Sequence, residues 1–263
     1  DGLIHVSKDG GFTWKNISSS LPKKMWVSGI YPSKFKESRV YLSLNGYRWD
    51  NFESMVYVSE DYGFNWSKIG HNIPDEPVNV IIEDLKNEKL IYVGTDHGLY
   101  ASLDSGNLFF AFSGGLPNTP VHDLVIHPRE NDLIVGTHGR SIYVTNIEVL
   151  QKLNQSILDS ELYIYDLDKV KFSSRWGSKN WYGNTIEPDI EVIVFSKNKS
   201  QVDFLVKNDS RIIFNKTYNL DKGLNFINNN LYDKDNKKYI EKGEYIIQVK
   251  NNISSNENKL IIN

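Results

Sequence analysis

Short runs in which apolar and polar residues alternate fill the chain from residue 1 to about 145, and they predict β-strands rather than helices. Met55-Val56-Tyr57-Val58 and Gly98-Leu99-Tyr100-Ala101 are clear cases, and each leads into the same kind of turn. Ser7-Lys8-Asp9-Gly10-Gly11-Phe12-Thr13-Trp14 aligns without a gap on Ser59-Glu60-Asp61-Tyr62-Gly63-Phe64-Asn65-Trp66, and more weakly on Ser102-Leu103-Asp104-Ser105-Gly106-Asn107-Leu108-Phe109. The residue types suit a hairpin turn. An Asp carboxylate can accept backbone N–H groups, Gly supplies a positive φ, and the closing Trp or Phe anchors the hairpin in a core. Ser7, Asp9, Gly11, Trp14, Ser59, Asp61, Gly63, Trp66, Ser102, Asp104 and Gly106 are therefore expected to form turns rather than carry chemistry.

The segments between these turns repeat as well. Leu21-Pro22, Ile73-Pro74 and Leu116-Pro117 precede strands starting at Val27, Val78 and Val121, and each is followed by a second strand at Val40, Leu90 or Leu133. Four short strands per period match the blade of a β-propeller, with the turn joining the third strand to the fourth. Residues 1–145 read as about three blades, the last having only three strands. Three blades cannot close a ring without long unpaired edges, so upstream blades of the same parent chain are expected partners.

Asn146 is placed to cap a short helix in which Ile147, Leu150, Leu153 and Ile157 fall near one face, and residues 146–160 read as a helical connector. From residue 161 to 263 the turn motif disappears. After an aromatic, glycine-rich stretch, Arg175-Trp176-Gly177 to Trp181-Tyr182-Gly183, strand-like runs resume at Ile190, Val202, Arg211, Leu224, Glu244 and Lys259. The expected fold class is all-β: a partial propeller, a short helix and an immunoglobulin-like β-sandwich. Arg175, Trp176 and Trp181 lie in a strand-poor segment and are expected to pack against the propeller.

With 40% hydrophobic and 13% aromatic residues the chain is that of a folded protein, and its formal charge of -3 lacks the basic surplus that would give a general attraction to nucleic acid or to an anionic membrane. There are no cysteines, which excludes disulfides and thiolate metal sites. No apolar stretch approaches the roughly 18 residues of a membrane span. No cofactor is expected; the histidines have no zinc-like spacing and the acidic residues form no contiguous calcium loop.

Antiparallel order places the hairpin turns on one rim of the blades. The loops between second and third strands fall on the opposite rim, together with the interblade loops. That second rim receives Asn45 to Ser54, His71, Asp75, Glu76, Asp96, His97, His138 and Arg140. Loops on a rigid scaffold are where binding residues concentrate. In the longest loop Tyr47, Arg48, Trp49, Asp50, Phe52 and Glu53 put aromatic faces beside carboxylates, a combination suited to sugar rings or a peptide strand. An equal alternative has Tyr47, Trp49 and Phe52 capping the blade while Arg48 pairs with Asp50 or Glu53. His97 and His138 occupy similar turns, as ligand contacts or as turn formers. Asp50 and Glu53 are the candidate catalytic carboxylates.

These segments resemble the Asp-box (BNR-repeat) propellers related to the sortilin ectodomain and the xyloglucanase-like glycoside hydrolases. The carriers are Asn45 to Phe52 leading into Ser59-Glu60-Asp61-Tyr62-Gly63, Val121 to Pro128, and Gly136-Thr137-His138-Gly139-Arg140-Ser141-Ile142-Tyr143-Val144. Gly223-Leu224-Asn225-Phe226 and Gly243-Glu244-Tyr245 look like strands of a flagellar-hook-cap-type immunoglobulin-like domain. The resemblance implies the C-terminal part of a secreted, periplasmic or cell-surface bacterial protein. It implies binding of a polysaccharide or peptide on the loop rim, with glycoside hydrolysis by the rim carboxylates as the alternative.

Overall fold

The computed structural model describes residues 2–112, 114–208, 211–233 and 237–263, and the chain divides into two units, Asp1–Lys152 and Leu153–Asn263. Among the described residues it is all-β with two short α-helices. In the first unit a two-stranded ladder, β1 (His5–Val6) and β2 (Lys15–Asn16), precedes three antiparallel meanders. The first contains β3 (Trp26–Pro32), β4 (Val40–Gly46), β5 (Asn51–Ser59) and β6 (Ser67–Ile69). The second contains β7 (Val78–Glu83), β8 (Ile91–Thr95), β9 (Leu99–Ser102) and β10 (Phe110–Ala111). The third contains β11 (Val121–Ile126), β12 (Asp132–Thr137) and β13 (Ile142–Asn146).

In the first two sheets β4 and β8 are buried along nearly their whole length because both faces are covered. All five residues of β8 are buried. Tyr41 and Val56 of the first sheet share one apolar cluster with Val78, Ile81, Ile91, Val93 and Phe109 of the second unit of the repeat, so consecutive sheets pack face to face. Gly94 marks how closely they approach, since a Cβ there would lie 2.8 Å from the backbone oxygen of Val121.

All three Ser-x-Asp-x-Gly turns share one hydrogen-bond scheme. In the second copy Ser59 Oγ donates to Asp61 Oδ1 at 2.9 Å and accepts from Gly63 N at 2.8 Å, while Asn65 N donates to Asp61 Oδ1 at 2.8 Å. Ser7 with Asp9 and Ser102 with Asp104 repeat it. The carboxylate thus organises backbone donors of its own turn. Trp66 Nε1 donates to Ile17 O at 3.0 Å, whereas Trp14 remains exposed and folds back on Gly11 O.

The first strand of each sheet carries an irregularity that alternation alone does not announce. Register shifts lie between Val27 and Gly29, between Val78 and Val80, and between Val121 and Asp123. Ser28, Asn79 and His122 are therefore left out of the ladder at equivalent places, as bulged residues.

On the turn rim, Glu83 is fully buried and accepts from Ser33 Oγ (2.8 Å), Lys34 N (3.1 Å) and Tyr41 OH (3.1 Å), with Arg39 Nη1 at 3.7 Å. Asp84 is also buried. It closes its own turn through Lys86 N and Asn87 N, and receives Gln151 Nε2 at 2.8 Å from α1 (Glu148–Lys152). The single helix expected over the connector is two helices. Asn154 adopts an extended φ of -134° and accepts from Ile157 N, which ends one helical path and starts α2 (Gln155–Asp159).

The second unit holds α2, β14 (Leu162–Ile164), β15 (Ile190–Ser196), β16 (Ser200–Asn208), β17 (Arg211–Leu220), β18 (Gly223–Asn229), the small ladder β19 (Tyr232–Asp233) with β20 (Lys238–Tyr239), β21 (Gly243–Lys250) and β22 (Ser255–Ile262). Sheets ordered β14-β15-β18 and β17-β16-β21-β22 enclose one core. Leu162, Val192, Val194 and Ile227 of the first meet Val202, Phe204, Ile247, Val249 and Leu260 of the second. Trp176 packs edge-on against Phe172 at 5.2 Å beside that core, while Trp181 is exposed.

Candidate ligand-binding rim

Because the strands of each meander follow one another in chain order, the β4–β5, β8–β9 and β12–β13 loops emerge on the rim opposite that of the Ser-x-Asp-x-Gly turns. The β4–β5 loop is a 3-10 turn over Tyr47–Trp49, started by Asn45 Oδ1 accepting Tyr47 N at 3.0 Å and ended at Asp50 in the left-handed region, φ 54°. Tyr47 and Phe52 pack edge to face at 5.9 Å. Arg48 pairs with neither candidate carboxylate; its guanidinium lies over the Trp26 ring, 4.8 Å from the centroid. Glu53 instead forms an ion pair with Lys68 of β6. Tyr47, Trp49, Phe52 and Trp26 all keep large exposed surfaces.

A polar row runs from this loop onto the second sheet. Asn45 Nδ2 donates to Asn79 Oδ1 at 3.1 Å, and Asn79 Nδ2 donates to Asp96 Oδ1 at 2.8 Å. The bulge makes this possible by turning Asn79 out of the ladder between the two loops. In the third sheet the equivalent residues are His122 and His138, whose rings lie 5.4 Å apart. Backbone bonds fix the equivalence, since Asp96 N donates to Pro77 O and His138 N to Pro120 O. Arg140, in the same loop as His138, is exposed.

Glu76 locks the loop entering the second sheet. Its carboxylate accepts from Thr95 Oγ1 at 2.6 Å and Tyr100 OH at 3.2 Å, and His97 Nδ1 lies 3.8 Å away. Burial, reinforced by that carboxylate, pushes the Tyr100 hydroxyl up to about 12, so it stays a donor across the physiological range. Of the residues expected on this rim, Asp96 is joined to Asn45 through Asn79, and His97 comes beside Glu76. His138 meets His122, which the alternation pattern did not single out. The missed signal was the recurrence of Val27-Ser28-Gly29, Val78-Asn79-Val80 and Val121-His122-Asp123, each shortly after a Leu-Pro or Ile-Pro pair. Among the described residues no cluster of three or more His, Asp or Glu side chains is arranged to hold a metal ion.

The sequence model of the Sortilin-Vps10 family, described as sortilin, neurotensin receptor 3, matches residues 54–262, well over half of the chain. The chain belongs to the Sortilin-Vps10 family. The match starts within β5 and runs through both units to the last residue of β22. No curated protein matches the chain in sequence. Similar solved structures include an ancestral GH74 enzyme, at 14% identity and TM-score 0.45, with 88% of this chain and 30% of that one covered. The GH74 xyloglucanase of Xanthomonas campestris is 11% identical with TM-score 0.35, covering 73% of this chain and 28% of its own. The GH74 enzyme of Niastella koreensis is 12% identical with TM-score 0.36, covering 84% and 33%. The chain thus spans about three tenths of the length of these structures.

Proposed function

We propose that this Sortilin-Vps10 chain forms blades of a larger, extracellular Asp-box β-propeller followed by an immunoglobulin-like sandwich, and that it binds a glycan or peptide on the rim opposite the Asp turns. The observation that carries the binding reading is the row Asn45–Asn79–Asp96, beside the exposed rings of Trp26, Tyr47, Trp49 and Phe52. Amide and carboxylate groups in line can hydrogen-bond hydroxyls or a peptide backbone, and neighbouring aromatic surface supplies stacking. His97, His138 and Arg140 extend the same surface. The larger propeller is supported by Ile142 and Val144, exposed by 67% and 62%, because they occupy the positions at which Leu99 and Ala101 of the second sheet are buried.

Hydrolysis is less well supported than binding. Asp50 and Glu53 would have to flank a sugar bond, and Glu53 is held by Lys68. Isothermal titration of the chain against xyloglucan oligosaccharides and against a pool of unstructured peptides tests the binding reading. An Asn79→Ala, Asp96→Ala variant should weaken the productive ligand about tenfold or more while keeping its melting temperature. Equal affinity in that variant refutes the site. Turnover of xyloglucan that disappears in Asp50→Ala, Glu53→Ala would replace binding by catalysis.

A further inference from the structure

The second unit carries an aromatic feature that its core does not use. Between β14 and β15 the chain forms a tight hairpin over residues 178–186, with Trp181 96% and Tyr182 85% exposed at its tip. This exposure is not fraying. Gly177 N donates to Ile186 O at 2.8 Å, Ile186 N to Ser178 O at 2.9 Å, and Asn180 N to Asn184 O at 2.8 Å. Asn180 Oδ1 accepts both Tyr182 N and Asn184 N, and Gly183, at φ +80°, closes the turn. The two rings are thus held out in water on a preorganised turn, where their ordering entropy is already spent.

The segment leading into the hairpin is basic, while Glu187, the residue directly after it, is a carboxylate held below its usual range by hydrogen bonds from Asn230 and Tyr239 and by the Lys179 charge. From Lys169 to Ile186 the chain has four basic residues, Lys169, Lys171, Arg175 and Lys179, all exposed, and no carboxylate. Lys179 sits at the base of the hairpin, bonded to Thr185 Oγ1 at 3.0 Å, and Arg175 O receives Ser178 N and Oγ just beneath it. Side chains at successive positions of a tight turn do not form the flat platform that sugar stacking needs. Trp and Tyr with a basic collar do suit the boundary between headgroups and acyl chains.

We propose that the 178–186 hairpin is a peripheral membrane contact that places Trp181 and Tyr182 in the interface of an anionic lipid surface, with Arg175 and Lys179 against the headgroups. Two aromatic rings and a few cations make such an attachment weak, reversible and salt-sensitive. The test is co-sedimentation of the whole chain with vesicles of phosphatidylcholine alone and of phosphatidylcholine with phosphatidylglycerol, at low and high salt. Binding is expected to the anionic vesicles at low salt. It should fall about tenfold or more in Trp181→Ala, Tyr182→Ala, and about fivefold for each of Arg175→Ala and Lys179→Ala, with unchanged circular dichroism. Failure of the intact chain to bind anionic vesicles overturns the proposal, as does binding that the aromatic variant leaves unchanged. Capture of an acidic polysaccharide through Trp181 without vesicle binding also overturns it.

Discussion

Removing one hydroxyl from two copies of the same turn separates the contribution of burial from that of the motif. In Ser59→Ala the Gly63 N–H loses its acceptor in a position shielded from water, and Asp61 loses one donor. A buried donor left unpaired costs about 1–3 kcal/mol, so the expected loss is about 2 kcal/mol. For a domain of about 150 residues that lowers the melting temperature by about 4–8 °C. In Ser7→Ala the chemistry is the same, but its partners Asp9 and Gly11 are exposed and water replaces the lost group, so the change should stay within about 0.5 kcal/mol. Differential scanning calorimetry of both variants, following the transition of the first unit, compares them directly. Equal shifts would show that the motif's own hydrogen bonds, rather than their burial, set its worth, and the reasoning would fail.

Acid should loosen these turns late. The Asp9 carboxylate is held at about 2 by hydrogen bonds from the Thr13 side chain, Thr13 N and Ser7, and Asp61 is lowered chiefly by Asn65 N and its side chain. Both folded values lie below the unfolded one, so this stabilisation is complete above about pH 4 and is lost as pH falls through the folded value, about 2 for Asp9. Near-ultraviolet circular dichroism should therefore change between about pH 4 and 2, and a change complete above pH 5 contradicts the assignment. On the same rim, Glu83→Ala strands the Ser33, Lys34 and Tyr41 donors and uncouples Arg39 from its buried partner. Urea unfolding should show a loss of about 3–5 kcal/mol, and a loss under about 1 kcal/mol would refute the role given to this carboxylate.

The strands and their turns were legible because each depends on neighbours in sequence. Alternation in Met55 to Val58 and the spacing of Ser59, Asp61 and Gly63 already contain the hairpin that forms. Arg48 was not legible in the same way. Local spacing offered Asp50 and Glu53 as partners, whereas the folded chain brings Trp26 from β3 and gives Glu53 to Lys68 on β6. Glu83 and Arg39 lie far apart in sequence, and only the pairing of β3 with β4 and the packing of β7 against them create their buried cluster. The bulges were hidden for another reason. Ser28, Asn79 and His122 interrupt alternation by one residue, which in a single strand looks like noise and becomes a signal only when three strands are aligned.

That alignment also separates residues that hold the rim from residues free to differ on it. Thr95 and Thr137 stand at one position and both return a side-chain bond to the far end of their loop, at Gly98 O and Ser141 O. The loop backbones are tied in the same way, by Asp96 N to Pro77 O and His138 N to Pro120 O. Beside these fixed points the side chains change from Asn45 to Asp96 to His138, and from Ser28 to Asn79 to His122. The second and third loops form with a carboxylate or an imidazole there, so folding does not dictate the choice between those two, whereas Asn45 also starts its own turn by accepting Tyr47 N. Glu76 shows the limit of this freedom. Its equivalent is Thr119, whose buried hydroxyl has no partner among the described residues, so the second loop is clamped by a carboxylate and the third is not. Asp96→Asn should consequently keep both its backbone bond and the acceptor for Asn79 while removing only a charge, which makes it the substitution that distinguishes ligand recognition from support of the loop.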